Sequence, residues 1–249
     1  MTAPLAQVEI RDRDAGTCVA DNGFCPDWIA DNLDRYVDPF LQHVLLTVVA
    51  VAIGFGIAFG LALLGYRRRW LIGPVTQVTG ILYTIPSIAA FFLLLPITGR
   101  GFTTAEIALV AYVLLIIFRN VLAGLDNVPA ETKDAGRGMG LTERQLLWRV
   151  EIPLALPEIM AGLRIAATTT VGLATLAFFA GAGGLGEQIF ADITFKSNVV
   201  VAGGLAVLLA GLLDALILLV QRAATPWESA QRRTRPGRLL ARRRAVAAP

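Results

Sequence analysis

The amino-acid sequence predicts an all-α membrane protein with five transmembrane helices. Of its 249 residues, 55% are hydrophobic and only 16% are charged, and the mean hydropathy is +0.64. A soluble domain of this length does not bury that much apolar surface, so the chain must lie in lipid. A helix needs about 20 apolar residues to cross a bilayer, and several stretches of this chain meet that requirement.

Three stretches contain no Asp, Glu, Lys or Arg and are each long enough to cross a bilayer as a helix; they are residues 39–66, 70–99 and 165–186. Two further spans are shorter between charges; they are residues 104 to about 122 and 198–221, the latter interrupted only by Asp214. Thr103 and Glu106 have the spacing of a capping box, which predicts a helix start before the third span. The total is five spans.

The basic residues predict the orientation of these spans, because Lys and Arg near span ends are retained on the cytoplasmic side. Residues 67–69, residues 119–164 and the tail from Arg222 together hold 17 of the 22 basic residues. Five spans place all three regions on one face, whereas four or six would put the tail on the opposite face. We therefore expect the N-terminus outside and the C-terminus in the cytoplasm of a multi-pass protein of the cell membrane.

This topology divides the chain into three parts. Residues 1–39 form an acidic extracytoplasmic segment, residues 40–222 form the transmembrane domain, and residues 223–249 form a polybasic cytoplasmic tail. Because no apolar run precedes Phe40, we expect the first span to act as the export signal. The tail is expected to contact anionic lipid rather than nucleic acid.

Cys18 and Cys25 are the only cysteines, and both lie in the segment predicted outside. Oxidising surroundings would permit a disulfide between them, and the alternative is two unpaired thiols. With His43 as the only histidine, this spacing argues against a zinc site, and no metal is predicted. His43 itself is expected at the outer membrane interface.

The second span is too long to be one straight helix. Its 30 residues would extend about 45 Å, against roughly 30 Å for the hydrocarbon core. Pro86 removes a backbone amide and predicts a kink or break there. Freed backbone at membrane depth is tolerated in protein or beside a wet cavity. The candidate lining of a translocation pathway is therefore Tyr83, Thr84, Pro86 and Ser87; the alternative is a packed structural kink.

Small and charged residues inside the other spans predict helix contacts. Gly56 and Gly60 share one face of the first span, where a second helix could approach closely. Asp214 is an acid inside the fifth span, for which we expect a structural partner or hydration.

The polar stretch 134–157 interrupts the apolar segments and predicts two short helices hinged at a glycine. Thr142 and Gln145 form a capping box, so a helix is expected to start near Gly140 and Leu141 and to stop at Pro153. This stretch is either an ordinary surface loop or an element on which a partner docks.

No enzyme chemistry is predicted. Gly181, Gly183 and Gly186 satisfy GxGxxG, but a membrane span precedes them where a dinucleotide site needs a strand. A tight outward bend is the preferred interpretation. The chain also lacks a GxxxxGK[ST] motif, a Ser-His-Asp set and metal spacing, so no catalytic residue or cofactor is assigned.

Residues 134–153 resemble the EAA loop of permease subunits from binding-protein-dependent ABC importers, whose pattern is Glu-Ala-Ala, Gly, then Ile-x-Leu-Pro. The resemblance assigns ATPase coupling to Asp134, Ala135, Gly136, Gly140, Leu141, Val150, Ile152 and Pro153. The sequence departs from the pattern at Asp134, Gly136, Val150 and Ile152. Gly136 matters most, because glycine weakens a helix by about 1 kcal/mol relative to alanine.

Four further motifs resemble the osmoprotectant permeases, which handle glycine betaine, choline and carnitine. They are residues 83–87, 138–142, 153–157 and 181–187. The resemblance covers roughly residues 43–222 and implies the type I ABC importer permease fold, with its coupling loop at about residues 126–160.

The resemblance also implies the partners. They are two cytoplasmic ATPase subunits, an extracytoplasmic solute-binding protein and a second permease subunit, either a copy of this chain or a paralogue, in a lipid bilayer. ATP would be hydrolysed in the separate subunits, not by this chain. The alternative function is an ion-coupled secondary transporter or channel acting alone.

Overall fold

The computed structural model describes residues 18–227, and every regular element within this range is helical. Residues 1–17 of the predicted acidic segment and residues 228–249 of the predicted polybasic tail lie outside the described range. The helices are α1 (Pro26–Asp31), α2 (Val37–Arg67), α3 (Ile72–Thr84), α4 (Ser87–Thr98), α5 (Phe102–Asp126), α6 (Ala130–Gly138), α7 (Glu143–Leu146), α8 (Ile152–Ala174), α9 (Leu185–Ala191) and α10 (Lys196–Ala224).

Three of these helices, α2, α5 and α10, are long and apolar enough to cross a membrane. The pair α3 and α4 qualifies only when taken together, and it is bent by 98° at Ile85 and Pro86. The predicted break at Pro86 is thereby confirmed. The predicted bounds 165–186 for the fourth span are wrong, because α8 begins at Ile152 and ends at Ala174. A 3₁₀ turn, Ala177–Ala180, and a glycine bend follow it.

The helix α5 forms the centre of the bundle. Half of its most apolar window is buried inside the chain, against 11% for α10. At its N-terminal end α5 packs with the small side chains of α2 and α8, including Ala50 and Ala174. At its C-terminal end it packs with Ala62 of α2 and Ile159 of α8. The small residues let the helices approach closely, which is how membrane helices gain packing energy.

The glycine contact on α2 differs from the one that the sequence suggested. Gly54 faces α5, and a Cβ there would lie 2.5 Å from Val113. Gly56 and Gly60 have no heavy atom of the described chain within 4 Å of such a Cβ, so the expected close contact at these two positions is wrong within this subunit. The buried face instead repeats every fourth residue through Ala50, Gly54 and Ala58.

Two polar side chains are buried where the sequence suggested exposed roles. His43 is fully buried, and its Nε2 donates to the Val171 carbonyl of α8 at 3.1 Å, so the expected interfacial position is wrong. The expected capping box at Thr103 is also absent. Glu106 is only 6% exposed and lies within α5, because that helix already begins at Phe102.

Residues 18–36 form a cap over the start of α10. The structure joins Cys18 and Cys25 by a disulfide. The backbone amide of Cys25 donates to Ser197 Oγ at 2.7 Å, and the buried Tyr36 hydroxyl donates to Asn198 Oδ1 at 2.7 Å. Trp28 packs edge-on against Phe195, with 4.7 Å between the ring centroids. Because the sequence predicts this segment outside the membrane, we call this set of contacts the outer cap.

The helices α8 and α10 are joined by an ion pair within the bundle. Arg164 donates from Nε and Nη2 to the two carboxylate oxygens of Asp214, at 2.7 and 2.8 Å. This bidentate geometry is the strongest arrangement for such a pair. Asp214 thus has the structural partner that was one of the two expected outcomes.

Candidate functional site

The candidate site is the polar loop between α5 and α8, which contains α6, a turn at Gly140, α7 and a π-helical turn, Leu147–Glu151. Of the predicted residues, Asp134, Ala135 and Gly136 lie in α6, and Gly140 and Leu141 form the turn. Val150 lies in the π turn, and Ile152 and Pro153 open α8. We call residues 130–151, the central part of the predicted stretch 126–160, the coupling loop, after the role that the resemblance implies.

The turn at Gly140 is set by backbone hydrogen bonds that close α6. The Gly140 amide donates to the Arg137 carbonyl at 2.9 Å, and the Leu141 amide donates to the Gly136 carbonyl at 3.2 Å. This pair of bonds is the Schellman motif, which requires a left-handed residue after the helix. Gly140 has φ = 82° and supplies that conformation without a Cβ penalty. The direction in which α7 leaves α6 is therefore fixed by one glycine.

The predicted capping box after the turn is confirmed. Thr142 Oγ1 accepts from the Gln145 amide at 3.3 Å, and Gln145 Oε1 accepts from the Thr142 amide at 2.9 Å. The helix itself begins two to three residues later than expected, at Glu143. The predicted stop at Pro153 is wrong, because the chain continues through the π turn into α8. Pro153 stands in the first turn of α8, where a missing amide loses no bond.

Arg137 clamps the two short helices across the glycine turn. Its guanidinium lies 3.1 Å from Asp134 Oδ1 on α6 and 2.9 Å from Glu143 Oε1 on α7. The hydrogen bond from Arg137 lowers the pKa of Glu143, and the same bond raises the pKa of Arg137. Because the pKa of Glu143 is lower in the folded protein than in the unfolded chain, this pair stabilises the fold at pH values above the unfolded pKa. That stabilisation is lost only as the pH falls through the folded pKa.

Gly136 explains one departure from the EAA pattern. It is buried, and a Cβ at this position would lie 2.6 Å from Leu146 Cδ1 of α7. Leu146 is itself fully buried, so this contact joins α6 to α7. The missing methyl group makes room for the leucine, and the helix propensity lost in α6 is the accompanying cost.

The outer surface of the coupling loop exposes large apolar side chains. Met139 is 75% exposed beside the glycine turn, and Trp148 is 51% exposed on the π turn. The loop also borders an open cleft of about 550 Å³; its lining residues are Tyr66, Arg67, Glu143, Arg144, Leu147 and Glu151. Exposed Met and Trp at a helix–turn–helix are typical of a protein-binding surface.

Three residues of this region were missed from the sequence. They are Tyr66 at the end of α2, Lys133 of α6 and Glu151 of the π turn. The Tyr66 hydroxyl accepts a hydrogen bond from Lys133 and donates one to Glu151. Glu151 is only 3% exposed, although glutamate is seldom buried unless it is paired. The π turn rotates it inward, and no local sequence signal identifies a π turn.

The second set of predicted residues lies at the break between α3 and α4. Tyr83 is 40% exposed and packs edge-on against Tyr112 of α5, with 5.8 Å between the ring centroids. The Tyr112 hydroxyl donates to the Ile85 carbonyl, which the break leaves without a helical partner. Thr84, the last residue of α3, donates to the Ile81 carbonyl, while Pro86 and Ser87 open α4. The structure does not bring this set together with the coupling loop.

A bundle of long apolar helices with one bent helix pair is typical of a multi-pass membrane protein. Residues 42–225 match the family described as the binding-protein-dependent transport system inner membrane component. The chain belongs to that family. It is therefore a membrane permease of the ABC importer class, whose members work with an ATPase and a binding protein. This membership favours the partner-driven importer over a transporter acting alone.

The relatives agree with this assignment. The chain is 38% identical to the osmoprotectant import permease protein OsmW of Salmonella typhimurium over 206 residues, which cover 80% of this chain and 96% of that protein. It is 34% identical to the carnitine transport permease protein OpuCD of Listeria monocytogenes, with 80% and 91% covered. An inward-facing structure of the MetNI methionine ABC transporter has a TM-score of 0.66 and 27% identity over 76% of this chain and 96% of that chain.

Proposed function

We propose that this chain is the permease subunit that carries osmoprotectant quaternary amines, such as glycine betaine, choline or carnitine, across the cell membrane. The observation that carries the solute class is 38% identity over nearly the whole length of an osmoprotectant permease. A separate ATPase supplies the energy, and a separate extracytoplasmic protein delivers the solute. No residue of the chain is assigned a catalytic role.

The proposed topology has five spans, with the N-terminus outside and the C-terminus in the cytoplasm. The spans are α2, the bent pair α3 and α4, α5, α8 and α10. The 23 residues of α8 extend about 34 Å, enough to cross the hydrocarbon core. Its internal charge Arg164 is neutralised by Asp214, which lowers the cost of placing α8 in lipid. The Cys18–Cys25 disulfide suits the oxidising outer side, and Arg67–Arg69 suit the inner side.

The coupling loop is proposed as the place where the ATPase grips this subunit. Its exposed Trp148 and Met139 offer apolar anchors, and the polar cleft beside the loop borders the end of α2. When ATP brings two ATPase subunits together, each docked loop moves with its ATPase as a rigid body. The spans then change from inward-open to outward-open, and the broken span at Tyr83, Thr84, Pro86 and Ser87 lines the pathway.

A second permease subunit, this chain or a paralogue, completes the proposed complex. The open faces of α2 at Gly56 and Gly60 leave space for another helix or for lipid. The helix α10 is also largely unburied within one subunit. Two permeases provide two coupling loops, one for each ATPase.

The test is reconstitution of the purified chain with its ATPase and binding protein in liposomes. We expect uptake of labelled glycine betaine, choline or carnitine that depends on ATP. Trp148→Ala should weaken co-purification of the ATPase, whereas Trp70→Ala, which removes an equally large exposed side chain from the same end of the bundle, should not. Uptake without ATPase, or uptake of none of these solutes, would contradict the proposal.

The topology has an independent test. In a background in which Cys18 and Cys25 are replaced by serine, single cysteines are introduced by Gly138→Cys in the coupling loop and by Thr194→Cys between α9 and α10. A membrane-impermeant thiol reagent applied to intact cells should label only the second. Labelling of the first would place the loop outside.

A further inference from the structure

The hydroxyl of Tyr66 is the meeting point of three elements at the inner end of the bundle. It donates to Glu151 Oε2 of the π turn at 2.5 Å and accepts from Lys133 Nζ of α6 at 2.9 Å. These partners lie 85 and 67 residues away in sequence. Lys133 donates also to the Leu125 carbonyl of α5 at 3.2 Å. A single phenol on the first span thus holds both halves of the coupling loop.

The charges around this phenol make the junction stronger than a neutral hydrogen bond. Lys133 and Glu151 carry opposite charges on the two sides of the hydroxyl, so both bonds are charge-assisted. Lys133 also lies 5.5 Å from the Tyr66 ring centroid, and Arg69 lies 4.8 Å from it. Arg69 in turn pairs with Asp126 at the end of α5 at 2.8 Å. The end of α2 is therefore fastened from every side that faces the loop.

Glu151 loses water on folding and must keep its partner. It is 3% exposed, and a buried carboxylate without a donor is costly. Any movement of the π turn relative to α2 would leave this oxygen without the tyrosine proton. A movement of the coupling loop is thus resisted at this point unless α2 moves with it.

The neighbouring surface of the loop, in contrast, is accessible to a partner. Met139 and Trp148 are exposed, and the cleft beside Tyr66 is open. The backbone continues from α7 through the π turn into α8, with right-handed helical φ and ψ at both junctions. A displacement of α6 and α7 can therefore be transmitted to the bundle in two ways. It can reach α8 through the π turn and α2 through Tyr66.

We propose that Lys133, Tyr66 and Glu151 are positioning residues that transmit the displacement of the coupling loop to the first span. This inference rests on the proposed function, because it needs an ATPase that moves the loop. It adds a second route of transmission beside the direct continuation into α8. The residues make no contact with solute; they keep the inner end of α2 in step with the loop.

The experiment compares solute transported per ATP hydrolysed in the complete reconstituted complex. Tyr66→Phe removes only the hydroxyl and should reduce this ratio about tenfold, the scale set by a charge-assisted hydrogen bond. Co-purification of the ATPase and its hydrolysis rate should remain. Glu151→Gln, which keeps the shape of the side chain, should have a similar effect, and the double variant should be no worse than either single one.

Tyr36→Phe is the matched control. Its hydroxyl donates a buried hydrogen bond of 2.7 Å to Asn198 at the other end of the bundle. This variant should lower the melting temperature of the complex but leave the solute transported per ATP unchanged. If Tyr66 had only a structural role, Tyr66→Phe would likewise lower the melting temperature and leave the solute transported per ATP unchanged.

The outcomes separate the inference from the proposed function. If the wild-type complex transports solute and Tyr66→Phe keeps the wild-type ratio, the transmission role is overturned and the proposed function stands. Simple additivity of Tyr66→Phe and Glu151→Gln would also overturn it. A wild-type complex without ATP-dependent uptake overturns the proposed function, and the inference with it.

Discussion

A tyrosine holds each end of α2, but the two tyrosines have different kinds of partner. At the N-terminal end, Tyr36 donates to the neutral amide of Asn198, in the same cap that contains a disulfide and an aromatic pair. At the C-terminal end, Tyr66 joins the charged side chains of Lys133 and Glu151, beside an open cleft and a π turn. The contacts at the N-terminal end include a covalent bond and a buried hydrogen bond, whereas those at the C-terminal end border an open cleft. The comparison indicates that the N-terminal end of α2 is fixed and that its C-terminal end can move only together with the coupling loop.

The largest effect is expected at Gly186, where two backbone segments are in direct contact. A Cβ at Gly186 would overlap the Thr175 carbonyl at the end of α8, which is backbone and cannot turn aside. Gly186→Ala should destabilise the protein by about 3 kcal/mol, at the upper end of overpacking costs. The measurement is thermal unfolding in detergent. Gly172→Ala, a helical position with no atom within 4 Å of the added methyl group, is the control and should not lower the melting temperature.

The next effect concerns the disulfide of the outer cap. Replacing Cys18 and Cys25 with serine should cost about 2 kcal/mol, because the bond closes only a short loop in the unfolded chain. The wild-type protein treated with a reductant should melt at the same temperature as the variant. ATP-dependent uptake at moderate temperature should persist in both. A loss of coupling, with the fold intact, would mean that the outer end also takes part in transmission.

A smaller cost in stability is expected for a substitution at the Gly140 turn. Gly140→Val should cost about 1–2 kcal/mol, since a β-branched residue is strained at positive φ. The change redirects α7, so attachment of the ATPase should weaken more than the melting temperature suggests. Gly140→Asn should be milder, because asparagine adopts the left-handed conformation. Gly138→Ala, two residues earlier and with open space around it, should behave as wild type.

The smallest effect is expected at the exposed Arg137 clamp. Arg137→Gln removes the ion pairs with Asp134 and Glu143, and exposed pairs of this kind contribute little. We expect a slight weakening of ATPase attachment that disappears at high salt. Because Arg137 lowers the pKa of Glu143, acidification from pH 7 to about 5 should not release the clamp. A large defect at low salt would show that this clamp, and not the Tyr66 junction, holds the loop together.

Local features of the fold could be predicted because near neighbours in sequence determine them. The apolar runs identify α2, α5 and α10, Pro86 removes an amide and breaks the second span, and Thr142 with Gln145 caps α7. Family membership also followed from a local motif, the EAA-like loop. These signals depend on the backbone hydrogen bonds of a few adjacent residues or on the length of an apolar segment.

Features that depend on distant partners could not be predicted. The burial of His43 requires a carbonyl on α8, and the charge of Arg164 is neutralised 50 residues away by Asp214. The extension of α8 through Pro153 depends on a π turn whose last residue is held by Tyr66. The sequence by itself determined the class of protein, the apolar helices and the turn at Gly140. Only the tertiary structure decided which faces meet and that one tyrosine joins the loop to the first span, because a buried charge is stable only beside partners that folding brings together.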